Sequence, residues 1–321
     1  MTAVDRRSLN ARPVDPFADC RPGQYVDDLV IVRHDRPPVV PSSAPESGLP
    51  AEPIVTTDHF RLARLGHRVE IRHQLWPGEL DNDLAGLLDD ELFTPGWLSG
   101  SDIFERVFTG IVRSCVDDPM EAWVTFYRNT LDRLTECGSS VVRRADRRSS
   151  SIAEFAPVYR RALDLVPAGE TLDLGSCFGF LPILLARRPD VRVTASDAAP
   201  GTMRLLGAVI GALGVTLDTI TCDATRVPLP DRSVDTVTAI HLLEHLDAET
   251  GDAVLCEAMR LARRRVVIAV PFEDQPSDTY GHVRTFDLAT LTRLGRGLDR
   301  PFSVAEHHGG WLVIHTTRTR P

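Results

Sequence analysis

The stretch HLLEHLD (241–247) gathers three side chains able to move a proton or hold a metal: His241, Glu244 and His245. They stand at i, i+3 and i+4, so one helical turn would place them on a common face. A fourth, His282, sits in DQPSDTYGHVRTFD (274–287), a long loop that the strand order brings to the same edge. Three chemistries fit these residue types. One of His245, His241 or His282, neutral near physiological pH, takes the proton of an alcohol, with Glu244 beside it. Alternatively His241, Glu244, His245 and His282 together hold a divalent metal that binds vicinal hydroxyls of an acceptor. In the third reading the segment starts a helix and His245 is a packed, hydrogen-bonded histidine. Metal dependence and EDTA sensitivity of the activity separate the second from the others.

A second constellation lies upstream in TLDLGSCFGF (171–180), where an aspartate ends an apolar run and two glycines follow. A dinucleotide fingerprint, G-x-G-x-x-G, needs bare backbone against a pyrophosphate. Its three positions here hold Gly175, Cys177 and Phe180, so two of the glycines are missing. A phosphate-cradling P-loop is excluded because no G-K-[ST] follows. A ligand without phosphate makes different demands. S-adenosylmethionine carries an ammonium, a carboxylate and a sulfonium. Asp173 can accept a charge-assisted hydrogen bond from the ammonium side, directly or through water. Gly175 lets the backbone approach the methionine portion, and Gly179 lets the next helix pack close. Asp197, closing the strand VRVTASD, can hold both ribose hydroxyls. Asp223 in ITCDA can accept from the adenine amino group, and Ala224 offers its backbone N–H to the ring. Ala198, Cys177 and His241 complete the candidate cofactor set.

These residues need a scaffold that delivers them to one edge. Apolar runs near 170–174, 191–196, 217–221, 235–240, 266–271, 302–307 and 311–316 read as strands. Helical patterns fall near 152–165, 179–187, 200–213, 248–263 and 287–295. The alternation predicts an α/β fold: a doubly wound, seven-stranded, mostly parallel sheet. Its ligand edge is the carboxyl end of the strands. Pro200 just inside a helix start and Gly214 just past its end agree with capping preference. No helix separates the last two strands. EHHGG (306–310) reads as a hairpin turn, with His307 and His308 on the surface and the seventh strand antiparallel. Trp311 beyond it reads as core, with sugar stacking as the alternative.

Ahead of this lies a different region, an N-terminal α+β accessory part. Residues 1–53 read as a partly disordered segment: poorly ordered to about 24, a short strand within 24–34, then a linker with six prolines in 35–53. Residues 54–150 read as an accessory or cap region. It opens with a hairpin around Gly66 (59–76). Helices follow over 101–137, with Ile103, Phe104, Val107, Phe108 and Ile111 on one face and Trp123, Phe126, Tyr127, Thr130 and Leu131 on another. The aromatics read as core. SSVVRRADRRSSS (139–151) marks a boundary, read as a solvated linker, and 151–321 is the cofactor-binding domain.

The chain has 321 residues, 43% of them apolar, and a net charge of −9. An acidic surface argues against nonspecific nucleic-acid or anionic-membrane binding. All 36 basic residues are arginine, which reads as a high-GC coding bias. Six scattered cysteines form no C-x-x-C pair, so neither a zinc ribbon nor a disulfide framework is expected. The N-terminus lacks an apolar signal region and no membrane span is expected, so a reduced cytoplasmic protein is the simplest expectation. Nothing in the composition fixes an oligomeric state.

Together, LDLGSCFG, ASDAA, CDATRVPLPDRSVDTV, HLLEHL and VVIAVP, in this order, resemble the class I S-adenosylmethionine-dependent methyltransferase family over about 152–316. The resemblance implies a Rossmann-like fold and methyl transfer from S-adenosylmethionine. Cys177 departs from it, since many members have glycine there. Some members that modify RNA ends or sugars carry a similar carboxylate–histidine cluster. His241 stands where those often have glutamate, and magnesium prefers oxygen ligands. Three further stretches, DDLVIVRHDRPP, DLGSCFGFLPILLA and GHVRTFD, resemble the actinobacterial mycofactocin-oligosaccharide methyltransferases within that family. They imply O-methylation of a glucose unit. A small-molecule or natural-product methyltransferase acting on O, N or C is the alternative, and a cofactor-binding module without catalysis is a third class. A nucleic-acid methyltransferase is disfavoured by the charge and by the absence of N-P-P-[FYW].

Overall fold

The computed structural model describes residues 11–35, 54–137 and 150–316. The Pro-rich 36–53 and the arginine-bearing stretch 138–149 therefore lie outside the described residues, as do the first ten. The described chain forms two compact units. The first runs to Arg133 and takes in 150–152; the second holds 134–137 and 153–316.

The first unit is built on a five-stranded sheet. Its strands are β1 (Gln24–Val26), β2 (Val30–His34), β3 (Val55–Thr56), β4 (Phe60–Leu65) and β5 (Arg68–His73), in the order β1-β2-β5-β4-β3. β4 and β5 form the expected hairpin, with Gly66 turning at φ +65°. The strand expected within 24–34 is two strands. Asp27 Oδ1 accepts from the N–H groups of Leu29 and Val30 at 2.8 Å each, which folds the chain back. β2 then pairs parallel with β5. Three helices follow: α1 (Asp83–Leu88), α2 (Ser101–Cys115) and α3 (Pro119–Cys137). Gly110 lets α2 lie on the sheet, since a Cβ there would stand 2.3 Å from Val32 Cγ2. Phe108, Trp123, Phe126 and Tyr127 meet edge-to-face inside this unit, as the core reading requires. Residues 11–23, expected to be poorly ordered, are held. Arg113 donates to the carbonyls of Pro16 and Ala18, and Trp123 Nε1 donates to Pro16 at 2.8 Å.

The second unit holds α4 (Ser151–Leu165) from Ala153 onward and carries seven strands. These are β6 (Gly169–Leu174), β7 (Val191–Asp197), β8 (Asp218–Thr221), β9 (Val234–Ile240), β10 (Ala262–Val270), β11 (Phe302–Glu306) and β12 (Gly310–His315). The order is β11-β12-β10-β9-β6-β7-β8, parallel from β8 to β10, with β12 antiparallel to both its neighbours. Helices α5 (Phe180–Ala186), α6 (Pro200–Ala212), α7 (Ala248–Leu261) and α8 (Leu288–Gly297) connect them. Both faces of the sheet are covered. Along β10, Val266, Ile268 and Val270 pack with Val254, Leu255 and Leu291, while Val267 and Ala269 pack with Val158, Leu181 and Leu185. Trp311 is 1% exposed and its Nε1 donates to the His307 carbonyl, so it belongs to the core. This α/β architecture is the one the alternation predicts. No described helix is long and apolar enough to cross a membrane.

Candidate functional site

At the carboxyl end of β6 the chain makes a tight left-handed turn. Gly175, Cys177 and Gly179 have φ of +69°, +49° and +75°. At the two glycines a side chain would also have to displace a neighbouring leucine. A Cβ at Gly175 would come 2.7 Å from Leu242 Cδ1, and one at Gly179 would come 2.6 Å from Leu206 Cδ2. Gly179 thus seats the start of α5 against α6, while Gly175 gives room to the residue after His241.

Asp173 is buried beneath this turn. It accepts from Ser176 Oγ at 2.8 Å and from Thr238 Oγ1. Ser196 Oγ donates to the Asp173 carbonyl, and Ser176 Oγ accepts the Ser196 N–H. These hydroxyls tie the ends of β6, β7 and β9 together, and sequence reasoning missed all three. Their signal was small hydroxyl residues at strand ends around a buried aspartate. Burial pushes the Asp173 carboxyl up to about 6, with the two hydroxyls holding it down in part.

Asp197 closes β7. Its Oδ2 accepts the Cys177 N–H at 3.0 Å and its Oδ1 the Ala199 N–H at 2.9 Å. A carboxylate offers about four acceptor sites, so acceptor capacity remains for ligand hydroxyls. Ala198 beside it is exposed. Asp223, one strand over, is exposed and accepts from the N–H and Oγ1 of Thr225. Those two bonds hold its carboxyl below the usual range. Ala224 comes next on the same loop, half-buried against the core.

The histidine segment leaves β9. His241 has φ +55° and donates its N–H to the Ala269 carbonyl. The chain then makes a single 3₁₀ turn, Leu243–His245, shorter than the α-helical turn the spacing predicts. It still brings His241 Nδ1 to 3.4 Å from Glu244 Oε1. The His241 ring lies 5.0 Å from that of Phe155, and its Nε2 has no hydrogen-bond partner. Burial, then the neighbouring His282 and His245, push its imidazole down to about 4. Glu244 is fully buried and neither carboxylate oxygen has a hydrogen-bond partner. Burial pushes it up to about 8.

The loop after β10 returns to this turn. Val283 N–H donates to the Glu244 carbonyl at 2.8 Å, and Arg284 Nε to the Leu243 carbonyl at 3.1 Å. This latch sets the His282 ring 4.8 Å from that of the exposed His245. Although one edge of His245 reaches solvent, the packing around the rest of its ring, and then His282, pushes its imidazole down. His282 Nδ1 is 2.7 Å from Glu273 Oε2, a partner the sequence did not flag. One donor atom from each of Glu244, His245 and His282 falls within 4.8 Å of the others. His241 touches this group through Glu244. His307 and His308 meet edge to face in the β11–β12 turn.

Residues 172–270 match the family model described as "Methyltransferase domain". No curated protein matches the chain. Among solved structures, a SAM-dependent methyltransferase from Aquifex aeolicus is similar at 16% identity. It covers 49% of this chain and 85% of its own, with a TM-score of 0.41. The PH0226 protein from Pyrococcus horikoshii is similar at 14% identity, over 51% of this chain and 89% of its own, with a TM-score of 0.43. The matched span runs from β6 through β10 and holds the glycine turn, Asp197, Asp223 and the His241–His245 turn. On this match the chain is an S-adenosylmethionine-dependent methyltransferase, with residues 172–270 the span matched.

Proposed function

We propose that this enzyme methylates a hydroxyl oxygen of a sugar, with a glucose unit of an oligosaccharide such as that of mycofactocin as the acceptor. Asp173, Gly175, Cys177, Gly179, Asp197, Ala198, Asp223 and Ala224 form the cofactor side of the site. Asp197 takes the ribose hydroxyls and Asp223 the adenine edge. Asp173 acts on the ammonium through the hydroxyl network around it.

The observation that carries the acceptor side is His241: a neutral, half-buried imidazole whose Nε2 has no partner. The sulfonium is already an activated donor, so the protein must mainly align an in-line attack. An alcohol must also lose its proton; His241 Nε2, enclosed and unpartnered, is our candidate to accept it, with Glu244 Oε1 3.4 Å from Nδ1. His245 and His282 line the same edge. Tyr280 is exposed with its ring 6.1 Å from His282, an amphipathic face suited to a sugar ring. Incubation with methyl-labelled S-adenosylmethionine and glucose oligosaccharides, beside a host metabolite extract, tests this. Expected is a labelled methyl ether on a hexose, found by mass. Label appearing only on nitrogen or carbon acceptors would sink the sugar reading.

A further inference from the structure

Glu244 poses a problem that the methyl-transfer reading leaves open. A carboxyl group with no exposure and no hydrogen bond on either oxygen is costly, by about 1–3 kcal/mol or more. Such a group is kept only where something answers it. Around it stand two imidazoles, and each of the three side chains offers a donor atom within 4.8 Å of the others. The His282 ring is fixed from behind. Its Nδ1 is engaged by Glu273 Oε2 at 2.7 Å, which leaves Nε2 as the donor on offer. A carboxylate gripping the far nitrogen is how a metal-bound histidine is normally oriented. Glu244 is itself set by the backbone latch from Val283.

We infer that Glu244, His245 and His282 bind one divalent transition ion, open on its outer side to adjacent hydroxyls of the acceptor. Two nitrogen donors and one oxygen donor suit manganese, iron(II), cobalt or zinc, whereas magnesium asks for an oxygen cage. Three ligands leave coordination positions free, as in catalytic rather than structural sites. His241 is outside the ligand set and faces the Glu244 oxygen that is turned toward its Nδ1. The acceptor part of this inference rests on the sugar reading; the ion site does not.

The full chain, stripped with chelator, is titrated with cobalt(II), manganese(II), zinc(II) and magnesium(II) by calorimetry, and cobalt(II) is followed by its visible spectrum. Expected is uptake of about one transition ion per chain and little response to magnesium. Glu244→Gln and His282→Ala should each weaken uptake at least 10-fold, and His307→Ala with His308→Ala should leave it unchanged. S-adenosylmethionine affinity, measured on every variant, shows that each is folded. No uptake by a chain that binds the cofactor normally would overturn the site, as would equal uptake by Glu244→Gln. Sugar methylation without metal uptake removes this inference alone. Metal uptake without sugar methylation removes the acceptor reading alone.

Discussion

Asp197 Oδ2 accepts the backbone N–H of Cys177 at 3.0 Å, so a carboxylate on β7 holds the glycine turn that succeeds β6. The same group has acceptor sites left for a ribose. Asp197→Ala removes both functions. A hydrogen bond to a charged group is worth about 1.5–3 kcal/mol, so S-adenosylmethionine should bind roughly 10- to 100-fold more weakly. Calorimetry with the cofactor or its demethylated product reads this directly. Unchanged affinity would place the ribose elsewhere.

Asp173 makes a pH prediction. Its carboxyl sits at about 6 in the folded chain because it is buried, against about 4 when unfolded. The folded state therefore holds the proton more tightly. The resulting stability is fully present below about pH 4 and is lost as pH rises through 6, a change of about 3 kcal/mol at most. Asp173→Asn should flatten that slope, seen as denaturant midpoints that no longer fall from about pH 4 to 7. The ionised form is the one that attracts an ammonium, so cofactor affinity in the native chain should rise over the same interval. A slope that survives in the variant would assign the titration to another group.

The glycine turn predicts two substitutions of opposite sign. Cys177 holds φ +49° with a side chain that disfavours it, and Cys177→Gly should raise stability by up to about 1 kcal/mol. Gly175→Ala should lower it by about 1–2 kcal/mol. That cost is chiefly backbone, because the nearest atom, a Leu242 methyl, can turn aside. Thermal melts of the two variants check the pair, and stabilisation by Gly175→Ala would mean that the turn is not left-handed there.

The second unit was legible in the sequence because its central strands, β9 and β10 above all, are buried on both faces and so read as continuous apolar runs, and because capped helices separate the strands. All seven appear within a few residues of expectation, including the antiparallel β12 after EHHGG. The first unit was less so. β2 pairs with β5 across residues 36–53, and no local period encodes a partner that far away. Arg113 and Trp123 hold residues 16 and 18 through backbone carbonyls, which carry no residue signature. At the site, residue types named His241, Glu244, His245 and His282. They did not reveal that Glu244 lacks any hydrogen bond or that Glu273 holds His282. Those facts depend on how one loop folds back on another.

The division of labour among the histidines gives the last prediction. His241 Nε2 is unpartnered and its ring neutral, which makes it the first candidate to receive a proton. It lies just past the end of β9, with β6 between that strand and the β7 that Asp197 closes. His241→Gln should therefore lower kcat by about 100-fold or more while cofactor affinity holds within a factor of about two. His245→Ala should also lower turnover, but chiefly through KM for the acceptor, since His245 stands with Glu244 and His282 in the group proposed to hold the ion that binds the acceptor hydroxyls. Steady-state kinetics on a methylated sugar product, with calorimetry on the same samples, separates the two. A His241→Gln enzyme with native kcat would remove His241 as the proton acceptor and leave it a packed residue against Phe155.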